Sequence, residues 1–332
     1  MEIPIFRSDK ILSHIDRVYD WLEGKNPPPI TVELDLTNRC NNNCPKCIGF
    51  RQPVVDLQNP KKIIKEIVQF GVRGITFSGG GEPLLHPELT DCVKYTSGLG
   101  ADVAVISNGL AMTKSIAWKI KPYCTWIRIS LDAFKPETHE RVHGVKGVLE
   151  TVKANIKSLA KSVGKATIGV GFLVSKEVLD EMLPATEFCK EAGVDYIQFR
   201  PFHYDFTPID KELKKCLKLQ TDKFKVLYSK AKYDCMKDGS FQRDYTICYG
   251  QQFASVITAT GKVYLCCHFR ANPKYCLGDL NRQSFAEIWN SRRRFQVIKN
   301  INLKECVPLC RCDSFNQILF SIKAKKEHIN FL

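Results

Sequence analysis

The 332-residue sequence has no long hydrophobic run and no recognisable export signal. No uncharged apolar stretch approaches the ~18 residues that a membrane-spanning helix needs. The opening Met-Glu-Ile-Pro lacks the basic stretch and apolar core of a signal peptide. The sequence therefore predicts a cytoplasmic protein with no membrane partner. In that reducing compartment, clustered cysteines indicate metal binding or catalysis more often than disulfides.

The chain also lacks internal repeats, and its basic residues are not interleaved with stacking aromatics. Its net charge of +14 favours acidic partners such as phosphorylated substrates, an acidic electron-donor protein or nucleic acid. Nucleic-acid binding would call for stacking aromatics or a recognisable reading motif, and neither is present. A basic, zinc-binding nucleic-acid protein is therefore a distant alternative. The lysine-rich residues 211 to 237 indicate a solvated surface helix.

What the sequence does contain is the pattern of an α/β protein. Between about residues 30 and 205, short β-branched runs alternate with helical stretches, which predicts parallel strands joined by crossover helices. The expected architecture is a partial (β/α)6 barrel. Its predicted strands lie near residues 30–36, 73–78, 103–107, 126–131, 167–174 and 195–200.

A short amphipathic helix is predicted before the barrel, over residues 10 to 23. Its apolar face is expected to pack on the next part of the chain, and three prolines at 27 to 29 end it. The residues at helical spacing are Ile11, Ile15, Val18, Tyr19 and Leu22.

Three closely spaced cysteines, Cys40, Cys44 and Cys47, come after the first predicted strand. Thiolates are the usual ligands of iron–sulfur clusters, and a four-iron cluster held by three of them keeps one iron free to bind a small molecule. The same spacing is compatible with a zinc knuckle or with part of a disulfide framework.

Further polar motifs stand at the ends of the other predicted strands. Active sites of parallel α/β proteins lie at the carboxyl ends of the strands, so these motifs are expected to converge there. A simple turn at the glycines and a helix cap at Asp132 remain alternatives. The motifs are Gly79-Gly80-Gly81-Glu82-Pro83, Ser107-Asn108-Gly109, Ser130-Leu131-Asp132 and Arg200-Pro201-Phe202-His203.

The cysteine run and Gly80-Gly81-Glu82 together resemble the radical S-adenosylmethionine (SAM) enzymes, whose reduced cluster cleaves SAM to a 5′-deoxyadenosyl radical. The resemblance implies a SAM-binding 4Fe-4S cluster on Cys40, Cys44 and Cys47. Family members usually have an aromatic residue before the third cysteine, near the adenine; here that residue is Lys46. The implied contacts of SAM are Gly80, Gly81, Glu82, Asn108, Ser130 and Arg141.

The end of the sixth predicted strand offers candidates for substrate binding. Arg200, His203 and Asp205 are expected to face the substrate. A structural hydrogen bond is an equal alternative for His203 and Asp205.

Eight of the 15 cysteines lie between residues 235 and 312, a density that buried thiols do not explain. Twelve residues separate Cys248 from Gly261, and four more separate Gly261 from Cys266. A distal group of three cysteines follows. This pattern resembles the SPASM and shorter twitch extensions of radical SAM enzymes, which bind auxiliary clusters. One auxiliary 4Fe-4S cluster is implied, on Cys248, Cys266, Cys306 and Cys310.

Some ligand choices in this extension stay open. Cys267 could replace Cys266, and Cys312 could replace Cys306 or Cys310. The remaining cysteines are interpreted as core or surface thiols; those outside the extension are Cys92, Cys124, Cys189, Cys216 and Cys235.

The predicted function is that of a radical SAM enzyme that abstracts a hydrogen atom from a small molecule, with oxidation, epimerisation or rearrangement as the outcome. A sugar, an aminocyclitol or a phosphorylated or nucleotide-linked metabolite would suit, with a flavodoxin or ferredoxin type electron donor. Peptide modification is the alternative. Many such maturases carry a leader-binding domain of ~80 residues, whereas 39 residues precede Cys40.

Four parts of the chain are expected. They are an N-terminal helix and proline-rich linker (1–29), the barrel (30–205), a helical linker (206–247) and a small β-hairpin/α iron–sulfur domain (248–332).

Overall fold

A computed structural model describes residues 8–48, 54–202, 205, 207–237, 243, 245–307, 310–324 and 327. His203, a candidate substrate residue, lies outside them. Within these ranges the strands form a single ten-stranded sheet. No helix in the described part of the chain is both long and apolar enough to cross a membrane.

Seven parallel strands form the main part of the sheet, in chain order. The six predicted strands are confirmed with shifts of at most two residues at their ends, as expected for runs with a strong apolar pattern. The strands are β1 (Thr31–Asp35), β2 (Gly74–Ser78), β3 (Asp102–Ser107), β4 (Trp126–Ser130), β5 (Thr167–Val174), β6 (Tyr196–Pro201) and β7 (Lys225–Tyr228).

Three strands from the C-terminal third extend the sheet beyond β1. β8 (Ala254–Ile257) pairs parallel to β1, and β9 (Lys262–Tyr264) pairs antiparallel to β8. β10 (Cys276–Asp279) pairs antiparallel to β9. The predicted hairpin is therefore present, and it continues the barrel sheet.

The helices are mostly crossovers that cover one face of the sheet, and several have recognisable ends. Thr113 caps α4 by accepting a hydrogen bond from the amide of Ile116, and Ser284 and Glu287 form a reciprocal capping box on α10. The helices are α1 (Ile15–Leu22), α2 (Pro60–Phe70), α3 (Leu89–Gly98), α4 (Lys114–Ile120), α5 (Pro136–His143), α6 (Leu149–Lys161), α7 (Met182–Ala192), α8 (Asp210–Leu217), α9 (Lys230–Lys237), α10 (Phe285–Trp289), α11 (Arg292–Lys299) and α12 (Asp313–Lys323).

The two faces of the sheet differ in polarity. Apolar strand residues and helix residues form one core; examples are Val32, Leu34, Ile127, Ile129, Ile64, Ile67, Ile156 and Leu159. Successive residues of a strand face opposite sides of the sheet. The strand residues that alternate with the apolar ones therefore line the inner face. Polar side chains are buried there, among them Glu33, Asp35, Arg128 and Gln198. A buried polar surface of this kind is where a polar ligand would bind.

Two details differ from the sequence-based expectations. The lysine-rich residues 211 to 237 are not one helix, because β7 separates α8 from α9 and pairs with β6. The N-terminal helix packs on the C-terminal part of the chain, where Val18 and Trp21 are buried against Phe253 and Leu319. Of the predicted apolar face, Ile15, Tyr19 and Leu22 are exposed.

A network of buried charges joins β1 to the C-terminal third. The Arg270 guanidinium binds Asp35 with its Nε 2.7 Å from Oδ2 and its Nη2 3.1 Å from Oδ1. The same Nη2 lies 3.2 Å from Oε2 of Glu33, whose Oε1 accepts a hydrogen bond from Arg311. We call these four residues the β1 charge network. Burial by itself would raise the pKa of Glu33, but the positive charges of Arg311 and Arg270 hold that pKa below its usual value.

Replacing Arg270 with methionine is expected to lower the free energy of unfolding by about 3–5 kcal/mol, because buried carboxylates would lose their partner. The matched control is Arg73→Met, which removes the exposed Asp16 pair and should cost about 1 kcal/mol or less. Urea unfolding of both variants measures the difference. Equal losses in the two variants would contradict a stabilising role for the β1 charge network.

Candidate active site at the carboxyl edge of the sheet

The three N-terminal cysteines lie on the irregular loop after β1. Its base is closed by the pairing of Thr37 with Asp56, and its middle by the amide of Asn43, which donates to the carbonyl of His143 at 2.9 Å. Cys40 and Cys47 are exposed, and Cys44 is partly buried. All three side chains are therefore presented on one loop at the carboxyl edge of the sheet.

The thiols are near enough to affect one another's ionisation. Burial raises the pKa of Cys44 to about 12, and the neighbouring sulfurs of Cys47 and Cys40 contribute to that rise. Iron ligation requires thiolates, and the positive charge of a bound metal stabilises them. A group of mutually repelling sulfurs on one loop fits a positively charged cluster core.

The number of cysteines on the loop suits a cluster. Three thiolates can hold a four-iron cluster and keep one iron free. The thiolates of a four-iron cluster each bind a different iron atom, whereas a zinc knuckle directs four ligands to one ion. The cysteine loop therefore fits the ligand set of an iron–sulfur cluster.

The glycines after β2 allow this segment to pack against the cysteine loop. A Cβ atom on Gly81 would lie 2.1 Å from the carbonyl oxygen of Arg39, and one on Gly80 would lie 2.4 Å from Oδ1 of Asn38. The contact with backbone excludes a side chain at Gly81, whereas a side chain at Gly80 would require the Asn38 side chain to move. The sequence pattern suggested close approach of backbone to a ligand, and the structure adds a close approach to the residues just before Cys40.

Glu82 is the centre of a hydrogen-bonded group at the same edge. Its buried carboxylate accepts hydrogen bonds from Ser107 Oγ at 2.8 Å, from the Asn108 amide at 2.7 Å and from the Leu84 amide at 3.1 Å. Burial raises the pKa of Glu82 to about 7, and these hydrogen bonds oppose the rise. A carboxylate fixed in this way is oriented toward the edge where a cationic amino group could bind.

Asn108 links this group to the cysteine loop. Its Nδ2 donates to Oδ1 of Asn41 at 2.7 Å, and its side chain also lies beside the sulfur of Cys40. The structure thus brings together Cys40, Glu82 and Asn108, which the sequence places on three separate motifs.

Ser130 and Arg141 have different surroundings. Ser130 ends β4 and pairs with Gly171 of β5, so it lies on the same sheet edge. Arg141 is exposed on α5, where its Nε donates to Glu177 at 2.5 Å and its Nη2 to Thr138 at 3.4 Å. Its hydrogen bonds therefore connect it to the outer helices, and contact with a ligand at the edge would require a change of partner.

Asp132 does not cap the next helix in this structure. Its Oδ1 accepts a hydrogen bond from the amide of Leu173 at 2.8 Å, and its φ of 54° lies in the left-handed region. The backbone amides at the start of α5 are bound by Glu181 instead, with the Lys135 amide 2.8 Å from its Oε2. Asp132 is left at the edge, close enough to Cys44 to raise the pKa of that thiol.

The candidate substrate residues also separate by role. Asp205 Oδ1 accepts from the amide of Thr207 at 3.0 Å, so this carboxylate shapes its own loop. Arg200 ends β6 on the inner face and is partly buried. Lys46, the residue before the third cysteine, has its Nζ 5.1 Å from the ring centre of Phe202 and so reaches the end of β6.

The C-terminal cysteines converge from three segments. The sulfur of Cys310 influences the ionisation of Cys248, Cys266 and Cys306, and burial raises the pKa of Cys248 to about 12 and that of Cys306 to about 11. Cys312 donates to Cys310, which lowers the pKa of Cys310 to about 7. The other three predicted auxiliary ligands thus lie near Cys310.

Three further cysteines lie in this part of the chain. Cys267 and Cys312 both lie close to Cys310, so the alternatives left open by the sequence remain open in the structure. Cys276 packs against Val256, Tyr264 and Cys267.

Several residues at the site carried no sequence signal. His143 has its Nδ1 3.6 Å from the Cys44 sulfur and its Nε2 3.0 Å from the carbonyl oxygen of Leu131. Arg270, Arg311 and Arg128 reach the inner face from distant segments. The arginines near the C-terminal cysteines could have suggested Arg270 and Arg311, but their number does not say which carboxylates they meet.

Two family models match the chain. One, the radical SAM superfamily, covers residues 34–189, and the other, an iron–sulfur cluster-binding domain named SPASM, covers residues 248–313. An AdoMet-dependent heme synthase of Methanosarcina barkeri is 26% identical over 304 residues, which cover 82% of this chain and 85% of that protein. A probable GTP 3′,8-cyclase of Methanococcus vannielii is 30% identical over 210 residues, covering 58% and 69%.

Solved structures share the fold at low sequence identity. Streptococcus suis SuiB bound to S-adenosylmethionine has a TM-score of 0.70 at 13% identity, covering 88% of this chain and 73% of that one. The structure described as native anSMEcpe with bound AdoMet has a TM-score of 0.60 at 15% identity, covering 89% and 97%. These similarities show the partial-barrel fold.

The matched segments contain both cysteine groups, Cys40 to Cys47 in the first and Cys248 to Cys312 in the second. The cofactors are accordingly SAM, the 4Fe-4S cluster that binds it and an auxiliary iron–sulfur cluster. The chain belongs to the radical SAM superfamily and carries a SPASM domain.

Proposed function

We propose that this enzyme abstracts a hydrogen atom from a small polar molecule held on the inner face of the sheet and oxidises it by two electrons. The observation that carries the proposal is the position of the two cysteine groups. Asp35 adjoins Gly80 near the first group, and Arg311, between Cys310 and Cys312 of the second, contacts Glu33 on the same strand. Both groups thus adjoin one buried polar surface.

The named relatives support a small molecule. The two sequence relatives are named for a heme product and a GTP substrate, and the first aligns along most of both chains. A sugar, an aminocyclitol or a nucleotide-linked metabolite would equally suit a polar interior. Peptide modification is the second candidate, because a SuiB structure bound to its precursor peptide shares the fold with a TM-score of 0.69 at 12% identity.

The chemistry divides between the cofactors and the chain. When bound, the four-iron cluster and SAM supply an electron and the 5′-deoxyadenosyl radical, which takes one hydrogen atom from the substrate to give 5′-deoxyadenosine. Loss of one further electron and one proton from the substrate completes a two-electron oxidation, with SAM consumed. The proposed roles of Glu82, Asn108 and Ser130 are to hold the methionine and ribose parts of SAM at the sheet edge.

The proposed auxiliary ligands are Cys248, Cys266, Cys306 and Cys310. Four protein thiolates would occupy all four irons and leave no open position for SAM, which suits electron transfer. A structural staple is the alternative, since metals stabilise small domains with thin cores. An epimerisation or rearrangement would need no net electron transfer, so the product's oxidation state separates these outcomes.

The proposal includes the surroundings of the enzyme. It would act in the cytoplasm, with a flavodoxin or ferredoxin type protein as electron donor. The net charge of +14 supports an acidic donor. The proposed division of the chain is an N-terminal helix and linker over 1–29, a barrel over 30–205, a linker over 206–247 that also supplies β7 to the sheet, and an iron–sulfur domain over 248–332.

Changing Cys40, Cys44 and Cys47 together to alanine is expected to remove about four irons per chain and abolish 5′-deoxyadenosine formation under dithionite. Iron analysis and chromatography of the reaction measure the two effects. The control is Cys124→Ala, which changes a buried thiol just before β4, at the end of the sheet opposite the cysteine loop, and should leave both values unchanged. Retained 5′-deoxyadenosine formation in the triple variant would show that the SAM-binding cluster lies elsewhere.

Glu82→Ala is expected to weaken SAM binding about tenfold or more with iron content intact, because a charge-assisted hydrogen bond is typically worth about 1.5–3 kcal/mol. Equilibrium dialysis with labelled SAM measures the affinity. Glu88→Ala removes an exposed carboxylate six residues away and should bind SAM normally. Equal affinities in the two iron-replete variants would refute the role of Glu82.

Cys310→Ser is expected to lose about four irons while SAM cleavage persists, because Cys310 is central to the C-terminal group. Once the substrate is known, this variant should form the substrate radical but release no oxidised product. Electron paramagnetic resonance and product analysis measure these outcomes. Normal turnover would make the auxiliary cluster structural, and a redox-neutral product of the wild type would replace oxidation with epimerisation or rearrangement.

A further inference from the structure

Two arginines meet on the inner face of the barrel, on either side of β5. Arg128 comes from β4 and Arg200 from β6, and the strand between them has glycine at position 171. A Cβ atom at Gly171 would lie 3.2 Å from Nη2 of Arg200 and 3.4 Å from Cδ of Arg128. Gln198 Oε1 lies 3.4 Å from Nη1 of Arg128. Two guanidinium groups therefore approach one another across a single glycine.

The two arginines affect one another's ionisation. Burial lowers the pKa of Arg128 to about 9, with a further contribution from the charge of Arg200. We call Arg128 and Arg200 the inner arginine pair. The two guanidinium groups repel one another in a region with little water to screen them.

One nearby carboxylate is shared by both arginines. Asp132 favours the charged form of each, and its Oδ1 also accepts from the amide of Leu173. Glu33, which acts on Arg128 more weakly, is bound by Arg270 and Arg311. The carboxylate of Asp132 thus faces two guanidinium groups.

Arg200 itself retains donor capacity. Its buried Nε has no hydrogen-bond partner among the residues that the structure describes. The hydroxyl of Tyr233, on α9, is also buried without a partner in the same part of the chain. This side of the inner face therefore has donors and positive charge in excess.

An excess of buried positive charge is costly unless an anion offsets it. The planar fork of arginine matches the paired oxygens of a carboxylate or phosphate, and such charge-assisted bonds are among the strongest hydrogen bonds in proteins. We propose that Arg128 and Arg200 form a receptor for an oxyanion of the substrate, a carboxylate or a phosphate. This inference rests on the proposed function, because it names the chemical class of the molecule on the inner face.

The receptor lies on the inner face, where the two guanidinium groups meet beside Gly171, the partner of Ser130. Arg128 is two residues before Ser130 on β4, whereas Arg200 pairs with Leu173, nearer the strand ends. An oxyanion on the two arginines would hold one end of the substrate inside the barrel. The rest of the molecule would then extend toward the strand ends, where the cysteine loop lies. A fixed end of this kind positions one carbon–hydrogen bond for abstraction.

The test uses the iron-replete enzyme with two probes, inorganic phosphate and succinate, against chloride at equal ionic strength. Calorimetric titration should show a saturable site for at least one probe, and the tighter one identifies the substrate oxyanion as phosphate or carboxylate. Arg200→Gln and Arg128→Gln should each weaken that probe about tenfold or more, since each loses a charge-assisted hydrogen bond. Arg292→Gln, which removes an exposed charge on α11, is the matched control and should bind as the wild type does.

A second pair of variants changes shape without changing charge. Gly171→Ala inserts a methyl group between the two guanidinium groups and should weaken the same probe. Gly98→Ala, where a Cβ atom meets nothing within 4 Å, is its control. This pair keeps the test informative if an arginine variant fails to fold.

Each remaining outcome decides against the receptor. Equal probe affinity in Arg200→Gln and Arg292→Gln, or no probe site in the wild type, overturns it. Loss of SAM binding in Arg200→Gln together with probe binding would assign the arginines to the SAM carboxylate instead. These results are separable from the proposed function, because SAM cleavage without substrate is measured independently as 5′-deoxyadenosine formation.

Discussion

The β1 charge network is the interaction on which the arrangement of both cysteine groups depends. Arg270 and Arg311 come from the segment that carries the C-terminal cysteines, and they meet Glu33 and Asp35 on the strand that leads into the N-terminal cysteine loop. The two arginines could not stay buried without the two carboxylates, nor the carboxylates without the arginines, since an unpaired buried ion costs several kcal/mol. The pairing therefore fixes the position of the iron–sulfur domain on the barrel and directs both cysteine groups to one interior.

The inner face is consequently divided by charge. Its acidic side, on β1, is neutralised by arginines from the C-terminal third. Its basic side, on β4 and β6, has two guanidinium groups close together across Gly171. Burial makes both sides costly to maintain, and polar groups kept at such a cost are concentrated where a protein binds or reacts with a ligand. The charged groups of the inner face are therefore separated, with carboxylates on β1 and guanidinium groups on β4 and β6.

Local sequence was sufficient where local physics decides. The β-branched runs predicted six strands because strand patterns depend on short-range alternation, and Cys40, Cys44 and Cys47 were found together because they share one loop. The strand β7 was missed because lysine-rich flanks concealed a four-residue run that pairing with β6 stabilises. Val18 and Trp21, rather than Ile15 and Tyr19, are the buried side of α1 because Phe253 and Leu319 pack there.

The sequence by itself determined the fold class, the superfamily and the two groups of metal-binding cysteines, because these depend on periodicity and on spacing within short segments. Only the tertiary structure decided which charges meet. Arg270 is 235 residues from Asp35, and His143 is 99 residues from Cys44. The tertiary structure also decided that position 81 must be glycine, because the backbone of Arg39 leaves no room for a side chain. It likewise decided that Arg128 and Arg200 share a site. Such contacts depend on how strands are ordered across a sheet, which no local pattern specifies.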